Sequence, residues 1–330
     1  MQVLSENNLC STRCALSPPA ERSATGALRP RQSLEKAKGS QRQTAWLFAQ
    51  FLMSRFVLLL PAVTIFILFL VIPILVVLVE SFRTYVPGRI GAVAGTPLSL
   101  ENYTELFAPA YIQYFLQTYL LSFCASILAI FLAFPVAYYI ARKASSRTRK
   151  VAITAVIGLM FLSSVARVYA IQLTFGSGGV LVPVTRFLGI NTNDTVYIAV
   201  VVIAGLLHYA VPMSILVLIG SVQNLNPRLT EAAKSLGASA LTCHLTVTIP
   251  LCIKGIVSAF MISMTLGVSA FVIPLVVGRG RVLFISNLIY TRFSEIANYP
   301  SGAAISIVMM VLSILLLFIF SRLTSLLDRT

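Results

Sequence analysis

Residues 56–79 read FVLLLPAVTIFILFLVIPILVVLV, a run without a single charged side chain. The hydrocarbon core of a bilayer is roughly 30 Å thick, and about 20 helical residues cross it. The run is therefore long enough to span a membrane as one helix. Pro61 and Pro73 lie within it. In lipid such prolines are tolerated where neighbouring groups satisfy the freed carbonyls, so they predict kinks rather than breaks.

Five further apolar runs follow this first one along the chain. They cover about 114–140, 151–173, 196–219, 253–277 and 303–320. Apolar residues make up 58% of the chain and charged residues only 11%, with a mean hydropathy of +0.90. A soluble domain of this length could not maintain a hydrated surface with so few charges. The sequence predicts an all-α membrane protein with about six transmembrane helices.

The formal net charge of +15 would suggest a nucleic-acid partner in a soluble protein. Here the Lys and Arg residues concentrate in the first 50 residues and in the loop ARKASSRTRK at 141–150. Cytoplasmic loops of membrane proteins carry such an excess. We therefore expect a multi-pass bacterial inner-membrane protein with both termini cytoplasmic and no nucleic-acid partner. The loops at 141–150 and 220–252 should then also face the cytoplasm.

Residues 1–50 are polar, rich in Ser, Arg and Gln, and lack apolar periodicity. This composition predicts a disordered cytoplasmic leader, followed by a membrane domain over 51–330. Met53 begins MSRFVLLLPAV, which is typical of the start of a membrane protein. The sequence leaves open whether the mature chain starts at Met1 or at Met53.

The five cysteines and two histidines predict neither a disulfide framework nor a metal site. Cys10 and Cys14 lack the further partners that zinc requires. The acidic residues are confined to loops and helix ends, so no acid–base pair is readable within a span. We expect no catalytic residues, no metal and no cofactor.

The loop after the fourth run reads SVQNLNPRLTEAAKSLGASALTCHLTVTIPLCIKG over 221–255. Asn226 can cap a helix, and Pro227 suits its first position. Apolar residues then recur at helical spacing, at Leu229, Ala232, Ala233 and Leu236. Gly237 supplies a stop, and Pro250 marks the turn back into the membrane. Two interpretations remain open from the residues alone: an amphipathic connector on the bilayer surface, or a docking surface for another protein.

The order of fixed residues in this loop resembles that in ABC-importer permease subunits. The residues concerned are Glu231-Ala232-Ala233, Gly237, Ile249-Pro250-Leu251 and Gly255-Ile256. Lys254 departs from the pattern, because many members of the family carry a second proline there. The resemblance implies a type I ABC importer permease fold, in which the loop at 220–252 docks onto a separate ATPase. Glu231 would pair with a basic group of that ATPase or cap the local helix.

The chain lacks a G-x-x-x-x-G-K-[ST] phosphate-binding loop, so ATP hydrolysis would be supplied by another subunit. The resemblance implies ATPase subunits, a second permease subunit that makes a heteromer, and an extracytoplasmic solute-binding protein. The chain itself is then not an enzyme. The alternative class is an ion-coupled secondary transporter or channel, which should show intramembrane carboxylates or matching broken helices. Neither is evident.

Three stretches are similar to the spermidine/putrescine type of permease. They are SLENYTELF at 99–107, FLSSVARVYAIQLTFGSGGVLVPVTRFLG at 161–189 and LFISNLIYTRFSEIANYPSGAAIS at 283–306. The resemblance implies a polyamine substrate, although importers of iron or opine-like solutes share versions of these stretches.

Five side chains within the runs are candidates for the pathway or its gate: Arg167, His208, Ser263, Thr265 and Ser269. A continuous third helix would place Arg167 near the outer boundary, where it could snorkel or close an outer gate. His208 could be a neutral core histidine or a site residue. The three hydroxyls are expected on one side of the fifth helix, where they could line a pathway or bond back to helix carbonyls.

Overall fold

A computed structural model describes residues 60–88 and 98–327. The predicted leader, residues 1–50, lies outside this part of the chain. The chain divides into two compact units between Val71 and Ile72. Of the first, the described residues 60–71 are helical, and they begin the apolar helix α1, Leu60–Ser81.

The helices make up nearly all of the regular structure among the described residues of the second unit. After α1 the helices are α2 (Glu101–Glu105), α3 (Pro109–Lys143), α4 (Ser146–Phe161), α5 (Ser164–Phe175), α6 (Val182–Phe187), α7 (Thr195–Gln223), α8 (Pro227–Ser235), α9 (Leu241–Leu251), α10 (Ile253–Val268), α11 (Val272–Val277), α12 (Ile285–Tyr290, continued by a π-helical turn, Thr291–Glu295) and α13 (Tyr299–Leu327). Among described residues, β pairing is limited to one bridge between Arg83 and Leu98.

The predicted all-α membrane fold is confirmed. The helices α1, α3, α7 and α13 are each long and apolar enough to cross a membrane. Two bent pairs, α4 with α5 and α9 with α10, bring the number of spans to six if each pair counts as one.

The third predicted span is not the continuous helix expected from residues 151–173. It breaks between Phe161 and Ser164, and the axes of α4 and α5 differ by 86°. Leu162 is extended, with ψ 139°, and the Ser163 hydroxyl caps α5 by accepting the Ala166 N–H at 3.4 Å. The rise along a straight helix therefore cannot be used to place Arg167.

The fifth predicted span starts with α10, and the preceding α9, which belongs to the loop 220–252, meets it at a bend of 72°. The break falls at Cys252, two residues after Pro250, so the predicted turn is close to its expected place. The span also ends early, because α10 stops at Val268 and α11 is a separate short helix.

The centre of the bundle is formed by α3, α7 and α10, which pack against one another. One face of α3 is a stripe of buried alanines, Ala125, Ala129, Ala133 and Ala137, while Phe131 on the other side is 75% exposed. Small residues let helix backbones approach closely where lipid offers no hydrophobic driving force. On α3 the small side chains therefore face the neighbouring helices, and large apolar ones such as Phe131 face outward.

Candidate functional site

The helix α8 in the loop 220–252 has the local structure that its sequence predicts. The Asn226 side chain accepts the Arg228 N–H at 3.0 Å, and Pro227 occupies the first turn. The helix ends at Ser235, and Gly237 follows with φ +84°, a conformation that favours glycine. Each boundary of α8 is therefore fixed by a residue type suited to it.

None of the residues of α8 is buried. Glu231 and Ala232 are exposed and Ala233 is half-buried. Leu236, at the end of the helix, is 88% exposed. The helix is thus an amphipathic element whose apolar side chains have little packing within this chain.

Contacts of Cys243 and Arg142 hold α8 against the rest of the chain. Cys243 is buried, and its Sγ lies 4.0 Å from the carbonyl oxygens of both Thr230 and Ala238. Arg142, from the end of α3, donates to the Leu225 carbonyl just before the helix. These contacts tie α8 to the membrane helices.

His244 follows Cys243 within the loop 220–252. Its ring packs edge-on against the Tyr138 ring, with 4.4 Å between the ring centroids. Burial holds the pKa of His244 below its ordinary value, and the positive charges of Lys143 and Lys234 lower it further. The imidazole therefore favours its neutral form in the folded loop.

Arg167 and His208 come together, which their separate positions in the sequence did not reveal. Arg167 Nη2 donates to the Leu162 carbonyl at 3.1 Å, and Nη1 lies 3.5 Å from the His208 carbonyl. The histidine ring bonds through Nδ1 to the Gly205 carbonyl. The signal that could have found this contact is Pro212, which lies four residues after His208.

The three candidate hydroxyls do not share one face of α10, so that expectation is wrong. Ser263 is only 2% exposed and bonds to Ser214 of α7 at 2.8 Å. Thr265 and Ser269 are exposed and line a groove of about 160 Å³ with Tyr119 and Ser313. At 100° per residue, positions 263 and 265 point to nearly opposite sides. Ser263 therefore joins helices, whereas Thr265 and Ser269 face outward.

At the other end of the bundle, a cluster missed in the sequence ties α2 to α3 and to the segment after α12. The Tyr111 hydroxyl donates to Glu105 Oε1 at 2.5 Å. Arg292 contacts the same carboxylate at 3.4 Å and also bonds the tyrosine hydroxyl. Within the described residues, no group of three or more His, Cys, Asp or Glu side chains could hold a metal ion.

Comparison with known proteins identifies the family. Residues 133–330 match the model of the binding-protein-dependent transport system inner membrane component. The spermidine/putrescine transport system permease protein PotB of Haemophilus influenzae is 31% identical over 265 residues, which are 80% of this chain and 91% of that protein. PotB of Escherichia coli is 27% identical over 265 residues, covering 80% and 95% of the two chains.

Solved structures agree on the fold. A bacterial ABC transporter that imports the acidic polysaccharide alginate superposes with a TM-score of 0.65 at 19% identity, over 86% of this chain and 98% of that one. The family match and the PotB relatives set aside the alternative of an ion-coupled transporter or channel, and they confirm the predicted family. The chain belongs to the binding-protein-dependent transport system inner membrane components, as a multi-pass permease subunit of an ABC importer.

Proposed function

We propose that this permease subunit forms half of the membrane pathway for a polyamine and receives its driving force through α8. The main support for the coupling role is the exposure of α8. None of its residues is buried, yet it is capped at both ends and contacts the buried Cys243. A helix so well defined and so little packed is suited to a partner's groove. The partner is an ATPase subunit, because this chain has no phosphate-binding loop of its own.

The polyamine assignment rests on the relatives. The PotB proteins of H. influenzae and E. coli, both named for spermidine and putrescine transport, align with this chain over 80% of its length. Iron and opine-like solutes become the alternative outcomes of a substrate panel.

The proposed assembly contains two ATPase subunits, a second and different permease subunit, and an extracytoplasmic solute-binding protein. Closure of the ATPases on ATP would move α8. The contacts of Cys243 and Arg142 would pass this movement to the ends of the membrane helices. Both termini and the loop 220–252 face the cytoplasm in this arrangement, in keeping with the basic loop at 141–150.

The test is ATP-driven uptake of spermidine into proteoliposomes that contain the complete transporter. Glu231→Ala should lower uptake by more than about tenfold, because removal of a charge-assisted hydrogen bond at an interface costs about 1.5–3 kcal/mol. Glu101→Ala removes another exposed carboxylate, on α2, and should leave uptake unchanged. Uptake that followed an ion gradient and ignored ATP, or equal effects of the two variants, would contradict the proposal.

A further inference from the structure

A small polar pocket lies at the end of the bundle opposite α8. Three side chains of α3 and two residues between α11 and α12 form its polar lining: Gln113, Tyr114, Gln117, Gly280 and Arg281. Arg281 donates to the Asn193 carbonyl just before α7 begins, whereas α8 follows the other end of α7. None of the residues that line the pocket is acidic. The pocket is therefore polar and carries a positive charge.

The turn at 278–281, which forms one wall of the pocket, has an unusual backbone conformation. Gly278 is right-handed, with φ −69° and ψ −18°, and Arg279 and Gly280 follow with φ +50° and +70°. Successive residues in right- and left-handed conformations direct their N–H groups into a concavity that binds anions. Within the described part of the chain, the N–H groups of Arg279 and Gly280 have no hydrogen-bond partner. The turn thus offers two backbone donors.

Side-chain contacts hold this turn in place. The Arg279 guanidinium donates to the Thr192 carbonyl at 3.1 Å and to Asn193 Oδ1 at 3.2 Å. A left-handed conformation is unfavourable for a residue with a Cβ, and such residues cluster at ligand-binding sites. Arg281 is anchored to the Asn193 carbonyl through Nη1 alone and is exposed, so its other N–H groups are accessible. The donors of the turn are therefore positioned before any ligand arrives.

The donors of the pocket fit a carboxylate. A guanidinium matches the two oxygens of a carboxylate, and such charge-assisted hydrogen bonds are strong. The amide groups of Gln113 and Gln117 and the Tyr114 hydroxyl can also donate to these oxygens. The two glutamines are four residues apart, so they lie on the same face of α3. The lining combines one cation with several neutral donors.

The size of the pocket favours a single side chain over a whole solute. Its volume is about 210 Å³, whereas pockets that enclose small-molecule ligands usually measure about 300–1,000 Å³. In the proposed topology this end of the bundle is extracytoplasmic, where arginines are scarce in short loops. The family depends on a binding protein, which has to contact the permease on that side.

We propose that the pocket receives one carboxylate side chain of the solute-binding protein, with Arg281 as its ion-pair partner and Gln113 and Gln117 as further donors. The inference rests on the proposed assembly and adds to it a specific contact at the end of the bundle opposite the ATPases. The contact would dock the binding protein in one orientation, because a guanidinium and a carboxylate pair with defined geometry.

The competing explanation is that Arg279 and Arg281 only fasten the turn to residues 192–193 and that the pocket holds water. The two explanations differ in the effect of a charge at position 117. A docked carboxylate is repelled by a negative charge and tolerates a positive one, whereas a water-filled pocket makes no such distinction.

The experiment measures the affinity of the solute-binding protein of the same transport system for the complete transporter in phosphatidylcholine nanodiscs. Gln117→Glu should weaken binding by about tenfold or more, the equivalent of one charge-assisted hydrogen bond. Gln117→Lys should bind at least as tightly as the wild type. Asn191→Asp adds the same negative charge outside the pocket and keeps the acceptor for the Asn193 N–H, so it is the matched control. It should stay within about twofold of the wild type.

A second set of variants identifies the carboxylate. The exposed Asp and Glu residues of the binding protein are changed one at a time to Asn and Gln. One of these changes should weaken binding as much as Arg281→Gln does, and combining the two should weaken it little further. Losses that simply add for every carboxylate would overturn the pocket. So would an effect of Gln117→Glu that appeared only with phosphatidylglycerol in the nanodiscs, because the ligand would then be a lipid headgroup.

The failure of this contact is distinguishable from the failure of the proposed function. Equal weakening by Gln117→Glu and Gln117→Lys, or wild-type affinity of Gln117→Glu, would refute the pocket while import still required the binding protein. A wild-type transporter that imported its solute without any binding protein would instead refute the proposed assembly.

Discussion

The helices α7 and α8 follow each other directly in the chain, yet they are packed in opposite ways. Along its length α7 buries residues such as Val202, Leu206 and Leu218 against its neighbours. After a short connection α8 begins, and none of its residues is buried. Both are well-formed helices, so the difference lies in packing and not in local structure.

Different interactions therefore determine the side chains of the two helices. In α7 the surrounding helices determine each inward side chain, and Gly205 leaves room for the side chain of Ile273. In α8 the caps are specified while the apolar side chains have little packing within the chain. An amphipathic helix left unpacked in this way is suited to a partner, and the predictions below test whether α7 and α8 really differ as described.

The largest effect is expected in the packed region. A Cβ at Gly255 would lie 1.8 Å from Ser221 Oγ, whereas one at the nearby Gly220 would meet nothing within 4 Å. Gly255→Ala should therefore lower stability by about 1–3 kcal/mol, as overpacking does. Gly220→Ala should be neutral or stabilising by up to about 1 kcal/mol. Thermal unfolding of the two variants in detergent measures this contrast, and equal melting temperatures would contradict the packing described for α7 and α10.

In the unpacked region the expected cost is conformational. Gly237 has φ +84° and open space around it, so a side chain there strains the backbone without a clash. Gly237→Val should cost about 1–2 kcal/mol locally and reduce ATP-driven uptake. Gly237→Asn, which tolerates this conformation, should retain most of the uptake. Loss of uptake in both variants would show that bulk, and not backbone conformation, matters at this position.

The opposite end of the bundle should respond more weakly. Glu105 and Arg292 are partly exposed, so their ion pair should contribute less than about 1 kcal/mol and weaken with salt. A double-mutant cycle of Glu105→Gln and Arg292→Met, read by thermal unfolding at low and high salt, measures the coupling. A coupling that did not change with salt would mean that contacts to Tyr111, and not charge, hold the cluster together.

The smallest effect concerns pH. Because the pKa of His244 is lowered in the folded loop, its neutral form is favoured there. The associated stability is complete above about pH 6.5, the ordinary pKa of histidine, and is lost as the pH falls through the lowered value. Limited proteolysis of the loop 220–252 should accelerate over that range. His244→Phe should be cleaved at a rate that does not depend on pH there, and an unchanged pH dependence would contradict the assignment to His244.

Much of the fold follows from apolar run lengths, and α8 follows from local signals at Asn226, Pro227 and Gly237. The bend at Leu162 was missed because the flanking residues are as apolar as a continuous span; only Ser163 and Ser164 indicate a new helix start. The contact between Arg167 and His208 joins two helices, so neither position alone predicts it. Ser263 was wrongly grouped with Thr265, because positions two apart point to nearly opposite sides of a helix, a spacing that the sequence already shows.

The central claim is that α8 contacts an ATPase, and photo-crosslinking of the assembled transporter tests it most directly. A benzophenone amino acid replaces Leu236 in one variant and Phe187, which is 90% exposed on α6, in another. The two positions are similarly exposed and apolar, and they are predicted to lie on opposite sides of the membrane. Cross-links to the ATPase from position 236 and none from position 187 are expected. Cross-links from 187 but not from 236 would contradict both the docking role of α8 and the proposed topology.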